Sequence, residues 1–494
     1  GYLGVSIADY GAAVGQPIIR GMSGPRVKIL KNGMVNRDVS GLGVDHLNDV
    51  DLNDIEQVEI VMGPSSLLYA NGTNGGIINV VDDTISAINY ELPEFKVGYE
   101  TQSVNDGSAE SFNFRNNIGG FNVNFGYKNI DFDNYDVPHG AVLHEEEEGH
   151  DDHDDHDEEE HHDEDMGFIN NSDYAVEATK FGISKVTDWG FIGFSMDNLE
   201  SVYGIPFHGD EHEEEEHEGE HEEERIFSTT DSESFTIKGS YNVDGNLVNK
   251  VDFTYRESDY TLTEAHEEEE GHDDHGDEEE HAPTTFANEA VEYGAIFDIS
   301  NDNADQKVVI NIVDEDNSIV GEEAFMNPAN NEEFTIGYYI SKDLDLFNVD
   351  LGMRIDQIDR SGSVTDEDHG DIDNYSIDDT TNSFAVSIGR NLSDNLDISL
   401  GYASVERLPS VIELFMNGPH MATGRFEVGD PTLQSETSNN FDITLNYEKD
   451  GFYAYASFYV TDVDNYIALI DEEDDHDDHD DHDDHDDHDE DEHH

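Results

Sequence analysis

Along most of this chain, apolar side chains return at every second position: Phe121, Val123, Phe125, Tyr127; then Phe235, Ile237, Tyr241, Val243; Val251, Phe253, Tyr255; and Phe441, Ile443, Leu445, Tyr447. A period of two with polar partners is the signature of a β-strand. Short turn signals separate many of these strands, among them Gly119-Gly120, Thr187-Asp188, Asp244-Gly245, Lys342-Asp343, Ser393-Asp394 and Lys449-Asp450-Gly451. Long acidic insertions fall at the opposite strand ends. Short turns at one end and long loops at the other, joining amphipathic strands of about 9 to 13 residues, describe an up-and-down antiparallel sheet large enough to close as a membrane barrel. Roughly fifteen such strands are expected between Glu94 and Val463. A soluble β-sandwich is the alternative, and it accounts poorly for the one-sided loop lengths.

The insertions carry the second constraint. Four segments, His144 to Asp165, His208 to Glu224, Glu264 to His281 and Asp471 to His494, hold 21 of the 25 histidines and contain neither Lys nor Arg. Dense like charge cannot bury a core, so these segments are expected as water-exposed loops rather than domains. With 22 Lys and Arg against 119 Asp and Glu, the formal net charge is −97, which excludes nucleic acid as a partner. The chain has no Cys, so disulfides, thiolate metal sites and Cys nucleophiles are excluded together. Any metal chemistry uses imidazole nitrogen and carboxylate oxygen.

No run of 18 apolar residues is present, so no transmembrane helix is expected. The sequence opens at Gly1 without Met and ends inside a charge run at His494, so both ends look cut and the lack of a targeting signal says nothing about compartment. Residues 1–88 differ from the rest. They are Gly-rich with short apolar stretches such as Val27 to Leu30, Val58 to Val61 and Ile77 to Val81, and they read as a small α/β domain. Residues 89–494 read as the barrel with its loops.

Three stretches of the first domain resemble the plug of TonB-dependent outer-membrane receptors. They are Gln16-Pro17-Ile18-Ile19-Arg20-Gly21 with Arg26 to Gly33, then Ile55 to Tyr69 through Met62-Gly63-Pro64, then Asn71-Gly72-Thr73-Asn74-Gly75-Gly76 to Val80. The resemblance implies a plug seated in a barrel of about 22 strands in the bacterial outer membrane. It also implies energy from the TonB, ExbB and ExbD proteins and contact with outer-membrane lipid. A TonB box would precede Gly1, and further barrel strands would follow His494. The family often has Arg before its Gly-Pro, whereas Met62 stands here, which puts one plug-to-barrel polar contact in doubt. Late in the chain Glu413-Leu414-Phe415, Gly418 to Pro431 and Glu436 to Asn440 resemble the zinc-importing branch, as do Gly321 to Phe325 and Tyr203 to His208. That branch carries His-rich extracellular loops and an Asp-His pair in its plug, where Asp45 and His46 stand.

The resemblance implies that Asp45 and His46 from the plug and His420 from a barrel loop converge on one Zn²⁺, a set that moving the plug would break. Zn²⁺ takes imidazole and carboxylate in tetrahedral sites. Gly41 and Gly43 permit the turned backbone that adjacent ligands would need. The sequence does not name the fourth ligand; a Glu on a barrel loop would complete the set, and Glu264 is the candidate. Taken alone, His46 and His420 would read as ordinary loop histidines, as His139 and His369 do.

The runs work differently. His144, His150, His153 and His156, His208 and His212, His266, His272 and His275, and His476 and His479 stand among carboxylates at short spacing. Such spacing in a flexible chain makes many interchangeable metal sites instead of one geometry. Capture should fade as pH falls through about 6.5, because imidazole binds only when neutral. Intrinsic affinity would favour Cu²⁺ or Ni²⁺ at such sites, so zinc rests on the resemblance. The function implied is TonB-dependent import of zinc. The alternatives are a receptor for another divalent metal or metal chelate, and a surface metal-buffering protein that does not transport. No nucleophile motif, phosphate loop or HExxH is present, so an enzyme is not expected.

Overall fold

The computed structural model describes residues 4–9, 13–41, 46–139, 141, 167–206, 225–243, 245, 247–266, 282–321, 324–365, 369–420 and 425–470. The N-terminal part holds six strands, β1 (Val5–Asp9), β2 (Gly15–Ile19), β3 (Val27–Lys31), β4 (Met34–Val35), β5 (Ile55–Val61) and β6 (Gly76–Asp82). β1 and β2 pair antiparallel. The others form a sheet in the order β4-β3-β6-β5, in which β3 and β6 run parallel. An α/β domain is expected from the sequence, but helix among the described residues of this part is limited to the 3-10 turns Gly24–Arg26 and Ser66–Leu68. The reason is local: the connections are rich in Gly, Asn and Asp, which favour turns over helix, and a helix needs several turns to repay its nucleation.

Long antiparallel strands follow. They begin with β7 (Glu94–Gln102), β8 (Gly107–Ile118) and β9 (Phe121–Phe132), then a small hairpin of β10 (Tyr135–Asp136) and β11 (Phe168–Ile169). The series continues with β12 (Tyr174–Thr187), β13 (Gly190–Gly204), β14 (Ile226–Asn242), β15 (Lys250–His266), β16 (Thr284–Asp298), β17 (Asp305–Val320), β18 (Ala329–Leu344), β19 (Phe347–Thr365), β20 (Ile372–Ser393) and β21 (Leu396–Arg407). After the helix α1 (Val411–Phe415) comes a hairpin of β22 (Asn417–His420) and β23 (Arg425–Val428), then β24 (Glu436–Lys449) and β25 (Phe452–Asp464). Leaving out the two hairpins, these strands make one 15-stranded sheet with β7 and β25 at its edges. The expected number of strands is thus found over the expected stretch, but ten of the fifteen run 14 to 22 residues, longer than the 9 to 13 expected, because ladder pairing carries them past the alternating apolar positions.

The register carries the membrane reading. In β9 the polar Asn122 and Asn124 are buried facing inward, while Phe121 is 41% exposed on the outer face. Outward-facing apolar residues such as Ile336 and Ile355, opposed on β18 and β19, extend that face around the sheet. An apolar outside over a polar inside is the arrangement of a barrel in lipid and the inverse of a soluble sandwich. Trp189 and Tyr241, ring centroids 5.8 Å apart, lie at the short-turn rim, where an aromatic girdle meets the headgroups. Of the turn signals, Lys342-Asp343 is displaced: both residues remain in β18, and the chain reverses after Leu344.

The N-terminal domain lies within the sheet. Its polar side chains reach strands from one side of the sheet to the other: Asp54 to Arg115 on β8 (2.7 Å), Lys31 to Asp197 on β13 (2.7 Å), Arg37 to Glu315 on β17 (3.0 Å) and Arg26 to Glu436 on β24 (2.7 Å). On the wall, Gly182 and Gly352 lie so close to the Thr84 and Pro64 carbonyls that any Cβ would collide with them.

Candidate metal site between plug and barrel

His46 sits in the connection between β4 and β5 and is wholly buried. Its ring stands edge-on to Phe286 of β16, with centroids 5.4 Å apart and planes at 63°. Four hydrogen bonds pin the connection. Gln16 Nε2 donates to the carbonyls of Ser40 (3.0 Å) and His46 (3.2 Å), the Leu47 amide donates to Tyr203 Oη (3.4 Å), and Asn48 Nδ2 donates to Gly15 O (2.6 Å). Around it lies the largest apolar cluster, including Leu47, Tyr203, Tyr260, Leu262, Phe286 and Phe325. This cluster is at the loop end of the strands, where the inward face turns from polar to apolar.

Glu264 is expected on a loop, and here the structure corrects the sequence. It lies on β15, buried, opposite Thr284 of β16. The period-two pattern carries β15 three residues into the acidic run, because each of those residues finds a ladder partner on β14. Glu264 shares the inward face with Leu262, which opposes Phe286, the residue His46 rests on. Phe286 in turn meets Phe325 at 5.9 Å. The Asn417 amide donates to Phe325 O (2.6 Å), and Gly418 packs on the Phe325 backbone, so β22, which ends at His420, is anchored to the same spot.

The structure therefore brings His46, Glu264 and the strand bearing His420 to one region of the wall. Asp45, the side chain of His420 and the side chain of His266 lie outside the described residues, as do His144, His150, His153, His156, His208, His212, His272, His275, His476 and His479. Among the described residues no group of three or more His, Asp or Glu is placed to hold a metal ion.

Sequence reasoning missed the polar seam below this site. Arg26 Nε and Nη2 donate to both Glu436 oxygens (2.8 and 2.7 Å), and Arg407 joins Glu436 (3.1 Å) to Glu413 (2.7 Å) in the first turn of α1. Asn74 Nδ2 also donates to Glu436 (2.8 Å). Arg354 of β19 reaches the Leu67 carbonyl (3.2 Å), and Asn71 donates to Glu333 (2.7 Å). Met62 packs among apolar neighbours beside Ile19, Met22 and Val27, so the seam is built from other residues. The signal was in the sequence as charged residues at inward positions of strands. Beside the seam lies a cavity of about 200 Å³ between plug and wall, lined by Gln16, Asp38, Gly41 and Asn48 on the plug and by Glu315 and Asn331 on the wall. Burial pushes two plug groups from their usual values: Lys28, on the cavity, down to about 8, and Asp49 up to about 7.

A 15-stranded sheet with an apolar exterior, wrapped on a folded domain held through polar contacts, has the architecture of a plugged outer-membrane barrel. The chain belongs to the TonB-dependent receptor family, a family of the bacterial outer membrane. Residues 64–480 match the TonB dependent receptor-like beta-barrel and residues 2–77 the TonB-dependent receptor plug domain. The copper transporter OprC is similar in fold, with a TM-score of 0.71 at 13% identity over 93% of this chain and 67% of that one. The Serratia marcescens hemophore receptor HasR gives 0.69 at 13% identity over 94% and 69%. A hemin receptor of Yersinia enterocolitica is 33% identical over 112 residues, 22% of this chain and only 15% of that receptor's length.

Proposed function

We propose that this receptor imports Zn²⁺ across the outer membrane. The acidic His-rich segments gather the ion, Asp45, His46, His420 and Glu264 hold it between plug and barrel, and TonB, energised by ExbB and ExbD, moves the plug to release it inward. The observation that carries the reading is His46: a buried plug histidine set against barrel Phe286, with Glu264 on the same inward wall. A ligand set divided between two bodies is broken when one of them moves, which couples plug motion to release.

The test is uptake of radiolabelled zinc by cells whose only copy is the full-length receptor carrying His46→Ala and His420→Ala, made at normal level. Uptake from limiting zinc is expected to fall to background, and uptake equal to wild type would sink the proposal. A second cargo class, another metal or a metal chelate, is favoured by the match to a hemin receptor. Competition of the zinc signal by Cu²⁺, Ni²⁺ and haem separates the two.

A further inference from the structure

A second, smaller cavity of about 30 Å³ lies against the polar seam. Lys28 and Gly72 of the plug line it, with Arg360 of β19, Thr381 of β20 and Arg407 of β21. The ladder explains why the wall residues meet. β20 and β21 pair Phe384 with Ser404, and the same register continued three residues further sets Thr381 beside Arg407. Side-chain bonds follow that register: the Asn382 amide donates to Glu406 Oε2 (2.9 Å) and the Glu406 amide to Ser383 Oγ (3.1 Å). Gly72, at a φ of 58°, is the plug's side of the fit, since a Cβ there would stand 2.9 Å from Arg407 Cγ.

The donors around this space outnumber their acceptors. Arg407 gives Nη1 and Nη2 to Glu413 and Glu436, and Arg360 gives Nε to Asn331 (3.0 Å), with Nη2 only 4.0 Å from Glu333. Arg407 Nε, Arg360 Nη1 and Thr381 Oγ1 have no hydrogen-bond partner, and all three residues are more than nine-tenths buried. Lys28 makes no ion pair among the described residues. Burial first, and then the guanidiniums of Arg37, Arg407 and Arg360, bring its ammonium down to about 8 against the pull of Glu333. Glu406 is the one carboxylate lining the cavity, and its oxygens are taken by the Asn382 amide and by the Ser435 hydroxyl (2.8 Å). Buried donors are ordinarily matched, so donors gathered on one small space mark a missing acceptor.

We propose that this cavity binds one small inorganic anion of the size of chloride, held by Lys28 of the plug and by Arg360, Thr381 and Arg407 of the wall. Each of the four offers an N–H or O–H and three carry positive charge, the set that recognises an anion. A space of about 30 Å³ takes roughly one or two water-sized bodies, which suits a halide and is too tight for a phosphate or an organic acid. Water alone would leave three like charges facing one another without a counter-charge. Lys28 travels with the plug while the other three stay on the wall. The ion therefore binds best with the plug seated, stabilises that state, and is released when the plug moves. None of this depends on the cargo.

Bromide, which replaces chloride and is visible by anomalous scattering, is the probe. Crystals of the purified full-length receptor soaked in sodium bromide are expected to show a peak among Lys28, Arg360, Thr381 and Arg407, and Lys28→Met should remove it. Where that change unseats the plug, as read from Arg26 against Glu436 in density, Thr381→Val on the wall should weaken the peak with the plug in place. In detergent solution the thermal midpoint of the wild type should lie several degrees higher in sodium chloride than in sodium gluconate at equal ionic strength, and Lys28→Met should erase most of that difference. No bromide peak in the wild type overturns the site and leaves water as its occupant. A peak with midpoints equal in the two salts means an adventitious ion only, and overturns it as well.

Discussion

Cations are scarce in this protein, 22 against 119 acids, and a large share of them stand where the plug meets the wall. Arg26, Lys31 and Arg37 project from the plug, and Arg115, Lys180, Arg354 and Arg407 from the strands. Such an interface can be opened to water at lower cost than an apolar one, since its parted groups can be rehydrated. Asp49 shows the other side of that economy. Burial lifts its carboxyl to about 7 from the usual 3.8, so between those values the folded plug keeps a proton that the unfolded chain has lost. Stability from this residue is therefore present at low pH and lost as pH rises through the window, at about 1.4 kcal/mol per pH unit. Asp49→Asn should match wild type in thermal unfolding near pH 4 and exceed it above pH 7. A gap between the two proteins that stays constant with pH would contradict this account.

At the level of elements, the strands were legible and their orientation was not. Period two in Phe121 to Tyr127 announces β9 but reads identically whether Phe121 faces a core or lipid; only Asn122 and Asn124, buried against the plug, decide it. The placement of the long insertions at one end of the strands was legible as well, because dense charge cannot join a core. The exact end of β15 was not, since ladder pairing with β14 carries Glu264 to His266 into the strand despite their composition. His46 could be singled out by resemblance, but its burial against Phe286 could not, because that contact joins residues 240 positions apart. The partners of Arg26 and Arg37 were hidden for the same reason. The charged segments carry their own test: deleting them, with Glu264 to His266 of β15 kept, should weaken uptake only when zinc is scarce, and the deficit should shrink below about pH 6.5, where the histidines of the intact segments protonate. Unchanged growth of the deleted strain in low zinc would end the capture role.

For the molecule as a whole, the outer surface must match a bilayer. Ile336 and Ile355 oppose each other midway along β18 and β19, facing outward. Ile355→Arg should cost roughly 2–4 kcal/mol in refolding into lipid vesicles, the penalty for a charge near the midplane. Refolding like wild type would mean that this face does not meet lipid. At the opposite scale of the same architecture, the three internal acidic insertions join strand ends at one rim, and β25 reaches that rim before the fourth begins. Fixed charge of one sign gathered at a mouth must be balanced by mobile counter-ions, so the entrance behaves as a miniature ion exchanger under a Donnan potential. Divalent ions are enriched there as the square of the monovalent enrichment. If the cargo is a divalent cation, as proposed, the concentration reaching the plug is thus set by the ions it displaces, and the receptor works from a richer local supply in dilute water than in brine.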